Sequence, residues 1–266
     1  MLTYQINNNK KTEIEYLFVD GGYLDKVISE VGKNFWNSDS LPIDYQKLGF
    51  RFDKIFYYNC LPGRKNGEND TDYECRINLS VEFYEKLKML DKFHVFEGVT
   101  FGRKNKIRQK TVDIMISVDM LRHSFRKNMD KAFLLTGDLD FKPLIEALIL
   151  EGMYTTVIYS DTSFSKELLF VADSNQRITI KQIHDWLPDE IKPNYQLPEL
   201  KQNYRIESPV ILKQGEVKNK QITLLGRDEN EFWLQINKST FWKFHSEHKL
   251  IWFYEDMINE KIKWIK

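Results

Sequence analysis

The chain is poor in the features that build small secreted or membrane-spanning proteins. Only 2 of its 266 residues are cysteine, and Cys60 and Cys75 stand far apart outside any CxxC pattern. That spacing argues against a disulfide scaffold and against a zinc site, and both cysteines are expected as buried free thiols. Glycine and proline number 12 and 7, too few for a fibrous repeat or a low-complexity chain. No window approaches the roughly 18 uninterrupted apolar residues of a membrane span, and the opening MLTYQINNNKKTEIEY has neither an apolar core nor a small-residue cleavage site. A cytoplasmic protein that does not engage a membrane is expected. A surplus of either charge is missing too: Lys+Arg and Asp+Glu both total 39, so any nucleic-acid footprint must be a local patch. The absence of GxxxxGK[ST] and of a strand-linked GxGxxG removes the phosphate cradle of an NTPase or dinucleotide enzyme, and GxSxG and HExxH are absent as well.

What remains is an ordinary globular composition, 42% hydrophobic and 29% charged, long enough for one large domain and a smaller one. Through the first two-thirds, β-branched and aromatic runs alternate with stretches of helical period, the pattern of an α/β fold with a mostly parallel sheet. Strands are expected at Tyr16–Asp20, Lys54–Asn59, Phe93–Val99, Ala132–Thr136, Tyr154–Tyr159 and Arg177–Ile180. Helices are expected at Tyr23–Val31, Asp72–Leu90, Val112–Ser124, Phe141–Glu151 and Ser165–Ala172. The Pro-bearing polar stretch between Leu187 and Tyr204 reads as a linker. The division is therefore a first domain over 1–190, a linker over 191–204 and a small β-rich or α+β module over 205–266, with strand-like runs at Pro209–Leu212, Gln221–Leu225 and Glu231–Ile236.

Ligands of an open parallel sheet bind beyond the carboxyl ends of its strands, and acids cluster at two such ends. Asp20 closes the YLFV run ahead of Gly21-Gly22, a pair that frees the backbone to turn. Asp138 and Asp140 follow AFLLT in TGDLDF, and Asp113 is expected to open a helix and lean over the same edge. Carboxylates gathered at one point repel unless a cation joins them. An oxygen-only donor set suits Mg²⁺ or Mn²⁺, and the chemistry such a site supports is phosphodiester hydrolysis. Each acid also has a structural explanation: Asp140 as an N-cap ahead of Pro143, Asp113 as a first-turn acid favoured by the helix dipole. Asp119 lies six residues after Asp113, roughly 120° around a helix, and is assigned a supporting role.

The matches FVDGGYL at Phe18–Leu24, QKTVDIMISVDML at Gln109–Leu121 and LLTGDLDFKPLIEAL at Leu134–Leu148, with a weaker one at Ser165–Asp173, resemble the NYN family of PIN-like nucleases, close to its LabA-like branch. The resemblance covers roughly Tyr16 to Trp186. It implies a Rossmann-like three-layer α/β/α sandwich, a Mg²⁺ or Mn²⁺ site and endoribonuclease activity, with Asp20, Asp113, Asp138 and Asp140 as metal-binding and catalytic residues. Thr136, Tyr23 and Asp119 then stand behind them. The sequence departs from the family where Tyr23 replaces the asparagine of the usual DxxN and Thr111 the glycine of KGxD.

RNA is the expected partner. The stretch Gly102–Lys110, taken as a loop, offers Arg103, Lys104, Lys106, Arg108 and Lys110 with no acid among them, suited to phosphate contacts beside the acids. Phe101 and Tyr23 are candidate stacking rings. Gly63–Gly67 reads either as a second basic contact or as plain turn chemistry. The C-terminal module holds Trp233, Trp242, Trp252 and Trp264, expected mainly as its core, with a protein partner or a second copy of the chain as an added role for its surface. Competing functions on the same residues are a catalytically silent RNA-binding scaffold and a DNA-directed nuclease. A phosphatase carrying its DxD after the first strand fits less well, because Asp138-Leu139-Asp140 comes late.

Overall fold

The computed structural model describes residues 13–98, 105–203, 210–217, 221–228, 231–237 and 239–265. Contacts divide these into two units, one formed by the residues up to Ile28 with Asp44–Ile178, the other by Ser29–Ile43 with the residues from Thr179 on.

In the first unit the chain runs β1 (Glu15–Asp20), α1 (Gly21–Val31), α2 (Tyr45–Gly49), β2 (Lys54–Cys60), α3 (Asp70–Lys88), β3 (Phe93–Gly98), α4 (Asn105–Phe125), β4 (Lys131–Leu135), α5 (Lys142–Leu150), β5 (Tyr154–Tyr159), α6 (Lys166–Val171) and β6 (Ser174–Arg177). The six strands are parallel in the order β3-β2-β1-β4-β5-β6, the alternating α/β architecture expected from the sequence. Both faces of its central strands are buried, which is why YLFV and AFLL read as continuous apolar runs. Phe18, Phe56, Ala132, Leu134 and Val157 share one core with Val112, Ile116 and Met120 of α4 and with Leu144, Ile145 and Leu148 of α5. The spacing of the α4 trio, four residues each time, keeps all three on one helix face.

The strand order has a functional consequence. From β1 the chain builds outward to β2 and β3, then returns to build β4, β5 and β6 on the other side. The switch point between β1 and β4 opens a crevice at their carboxyl ends, where open α/β sheets bind ligands.

Three expectations need correction here. Arg177–Ile180 is not a strand: β6 ends at Arg177, and Thr179 caps α7 (Ile180–Asp185) through a capping box with Gln182. The stretch taken as a loop up to Lys110 is helical from Asn105, as its Lys, Arg and Gln content favours. Of the two cysteines, Cys60 is half-buried and Cys75 is exposed on α3, so the second is not a core thiol.

The second unit contains α7, β7 (Glu199–Gln202), β8 (Val210–Val217), β9 (Gln221–Asp228), β10 (Glu231–Asn237), β11 (Thr240–Phe244), α8 (Glu247–Ile258) and β12 (Lys263–Ile265). Its antiparallel sheet runs β12-β8-β9-β10-β11-β7, with α8 packed on β10 and β11. The stretch expected as a linker carries a 3-10 turn at Lys192–Asn194 and the strand β7, which pairs with β11. Trp233, Phe241, Phe244, Phe253 and Tyr254 are buried, and Trp233 meets Phe241 edge-on at 5.8 Å. Phe35, from the turn after α1, stacks on Phe244 at 6.0 Å and so belongs to this core. No helix among the described residues is long and apolar enough to cross a membrane.

Candidate active site at the sheet switch point

Asp20 is the last residue of β1 and is buried, 6% exposed. A lone carboxylate there is costly unless it gains donors, and three reach it. The backbone N–H of Tyr23 donates to Oδ1 at 3.1 Å, the Thr136 hydroxyl donates to Oδ2 at 3.3 Å, and the Gly22 backbone N–H adds a third. Asp20 thereby caps the start of α1. Burial nevertheless dominates: it lifts the Asp20 carboxyl above the ordinary carboxylate range, with the charge of Asp138 pushing the same way and the three donors opposing.

Asp138 is held by the same threonine. Its backbone N–H donates to Thr136 Oγ1 at 3.3 Å, and its own Oδ1 accepts from the Asp140 N–H at 3.0 Å. Asp138, rather than Asp140, is therefore the N-cap of the turn Leu139–Phe141 that leads into α5, while Pro143 takes its place in the first turn. Asp140 is exposed, joined to the pair through its backbone.

Asp20 and Asp138 line one cleft of about 330 Å³ together with Gly22, Tyr23, Lys26, Gly137 and the loop after β5. The glycine pair after Asp20 is not there to turn the chain, since both residues are helical. Gly21 is small because a β-carbon would stand 2.6 Å from the Tyr57 ring. Tyr23 is not a stacking platform either: it is buried, and its hydroxyl donates to the Ser163 carbonyl at 2.5 Å while accepting from the Ser160 N–H at 2.9 Å.

Asp113 and Asp119 both lie on α4. Asp113 does not open a helix; it lies more than two turns into α4, half-buried, one position after the core residue Val112. Asp119 accepts from the Tyr58 hydroxyl at 3.0 Å and faces Arg122 at 3.4 Å, which makes it part of the α4 packing. Among the described residues, no three His, Cys, Asp or Glu side chains stand close enough to enclose a metal ion. Arg103, Lys104 and Phe101 lie outside the described residues, as do the side chains of Lys106, Arg108 and Lys110, whose backbones belong to α4. In the turn after β2, Arg64 pairs with Asp70, Glu68 takes Arg76, and Gly67 adopts a φ of 77°, the geometry of a structured turn.

Two groups at the edge went unread in the sequence. Asp25 of α1 accepts from the Asn59 side-chain amide at 3.1 Å. Asp25 is exposed as a residue, while its carboxyl lies against the end of β2 through Asn59. Loss of hydration there, reinforced by the charge of Asp20 and opposed by the Asn59 amide, pushes it up to about 6. Lys26, one residue on, donates to the Ser163 hydroxyl at 2.9 Å across the cleft. DGGYLDK offered Asp25 and Lys26 as a charged pair on a helix; the groups that give them meaning, Asn59 and Ser163, lie far along the chain.

No curated protein matches the chain. A crystal structure of a protein of unknown function from Vibrio parahaemolyticus is similar over 66% of this chain and 96% of its own, at 18% identity and a TM-score of 0.46. Residues 35–179 match the NYN domain, a segment that begins after Asp20 and contains Asp113, Asp138 and Asp140. By that match over more than half its length, the chain belongs to the NYN domain family.

Proposed function

We propose that this protein is a metal-dependent nuclease that hydrolyses RNA phosphodiester bonds in the cleft between β1 and β4. The NYN family is nuclease-like in general. The observation that carries the reading for this chain is the link Asp20–Thr136–Asp138, in which one hydroxyl at the sheet's switch point donates to the Asp20 carboxylate and accepts the Asp138 backbone N–H, with both carboxylates lining one cleft. An Mg²⁺ or Mn²⁺ ion fits this pair, because such ions are commonly held by one or two carboxylates with water and phosphate oxygens completing the shell. The donor chemistry is oxygen only, and the buried Asp20 carboxyl is raised by desolvation and by its neighbour's charge, so a bound cation would stabilise its ionised form. Bound there, the ion would neutralise phosphate charge and lower the pKa of a coordinated water.

The chain's own groups do the rest. Thr136 joins the Asp20 carboxylate to the Asp138 backbone, and the caps that the two carboxylates make on α1 and on the turn before α5 keep both side chains from rotating away. The Lys26 ammonium lines the same cleft as the acids and offers a phosphate contact there.

The test is cleavage of mixed RNA and DNA substrates by the purified chain with Mg²⁺ or Mn²⁺. RNA is cut, chelator abolishes the reaction, and Asp20→Asn and Asp138→Asn each remove it. Activity that survives chelation, or that persists in both variants, defeats this mechanism; cutting of DNA alone reassigns the substrate.

A further inference from the structure

Part of the lining of the cleft that holds the carboxylates is the loop from β5 to α6, and it is anchored at three points. The Ser165 N–H donates to the Gly137 carbonyl at 3.1 Å, the Tyr23 hydroxyl bridges Ser160 and Ser163, and Lys26 holds the Ser163 hydroxyl. A loop so restrained presents its side chains in fixed positions, which is what a recognition surface requires. Three residues of this loop, Ser163, Phe164 and Ser165, line the cleft directly, and the Phe164 ring stays half-buried, set 5.1 Å from Tyr159 at a tilt of 49°. Lys26 is the one cation among the described residues that line the cleft.

Chemically this wall is the complement of the acids in the same cleft. An ammonium beside a serine hydroxyl suits a phosphodiester, and an aromatic face suits a nucleobase that is not already stacked. The volume, about 330 Å³, falls at the low end of the roughly 300–1,000 Å³ of small-ligand sites, room for one nucleotide and not for a helix. A duplex keeps its base faces covered by their neighbours; a single strand can turn one outward.

We propose that the β5–α6 wall is a nucleotide subsite for single-stranded nucleic acid, in which Lys26 and Ser163 contact a phosphate and Phe164 stacks on the attached base. The proposal rests on the nuclease reading above, since the phosphate it holds adjoins the carboxylate pair. Tyr23 is its positioning residue, taking the place in the motif where the family carries asparagine and using its hydroxyl to hold the loop.

The experiment measures binding of a fluorescent single-stranded oligoribonucleotide, and of the same sequence as a duplex, to the full chain in chelator. Phe164→Ala and Lys26→Gln are each expected to weaken single-strand binding on the order of 10-fold, Phe164→Tyr to restore it, and the duplex to bind more weakly and ignore Phe164→Ala. Phe164→Leu, which keeps apolar bulk without an aromatic face, replaces the alanine variant if that one does not fold. Single-strand binding absent in the parent protein, or unchanged in folded Phe164 and Lys26 variants, overturns the subsite. Because binding is read without metal, the nuclease reading fails separately, as a parent protein that binds the strand and leaves it intact when Mn²⁺ is supplied.

Discussion

Asp20 and Asp138 are joined through a single hydroxyl: Thr136 donates to the first carboxylate and accepts the backbone N–H of the second. The threonine is fully buried, 0% exposed, so neither bond can be replaced by solvent without opening the strand ends. Asp20, at the end of β1, and the backbone of Asp138, just past β4, are thus held together by one side chain.

Thr136→Val tests that connection with almost no change in shape. It removes the donor to Asp20 and leaves the Asp138 N–H unpaired, a loss of about 1–3 kcal/mol of stability. Thr136→Ser keeps the hydroxyl and should recover most of it. Urea denaturation of the three proteins gives the answer. If valine matches threonine in both stability and metal-supported cleavage, the shared hydroxyl has no role in positioning.

Gly137 follows directly and has no room for a side chain. A β-carbon there would strike the Ser163 carbonyl and would come within 2.8 Å of the Tyr23 ring. Gly137→Ala must therefore push the β5–α6 loop outward at a cost of about 1–3 kcal/mol. Faster proteolysis or amide exchange in residues 160–165 is the expected signature; exchange identical to the parent's would mean that the neighbours give way without consequence.

How much of this could be read in advance depends on where each residue's meaning lies. The sheet was legible because strands buried on both faces must be apolar throughout, as β1, β4 and β5 are. The RITI run misled because Ile178 and Ile180 look strand-like, whereas Thr179 and Gln182 form a capping box that starts a helix. Asp20 and Asp138 stood out because they end or follow such strands. Asp113 was misplaced because the basic residues before it resemble a solvated loop yet favour helix. Asp25 was missed altogether: only pairing with Asn59, 34 positions away, reveals its setting.

Tyr23→Phe isolates the hydroxyl that fastens the cleft wall. Removing it leaves the Ser160 N–H and the Ser163 carbonyl short of a partner, while the buried ring is kept. A loss of about 1–3 kcal/mol is expected, concentrated in the loop rather than in the sheet. Amide exchange resolved along the chain should show residues 160–165 opening while β1 and β4 stay protected. Uniform acceleration would point to general destabilisation instead.

The carboxyl of Asp25 ties stability to pH with a definite sign. Its folded value, about 6, lies above the ordinary aspartate value of 3.8, so the folded chain binds the proton more tightly than the unfolded one. Such a group contributes stability that is fully present below the unfolded value and is lost as pH rises through the folded one. The raised Asp20 carboxyl works in the same direction. In the absence of divalent ions, the contribution of Asp25 to the parent's urea midpoint is therefore expected to fall between about pH 4 and pH 6, opposed by His94, His123 and His184, whose lowered values act the other way. Asp25→Asn, which stays neutral and can still meet Asn59, should flatten that fall and gain on the parent at neutral pH. A variant whose midpoint tracks the parent's at every pH would show that Asp25 titrates alike in the folded and unfolded chains.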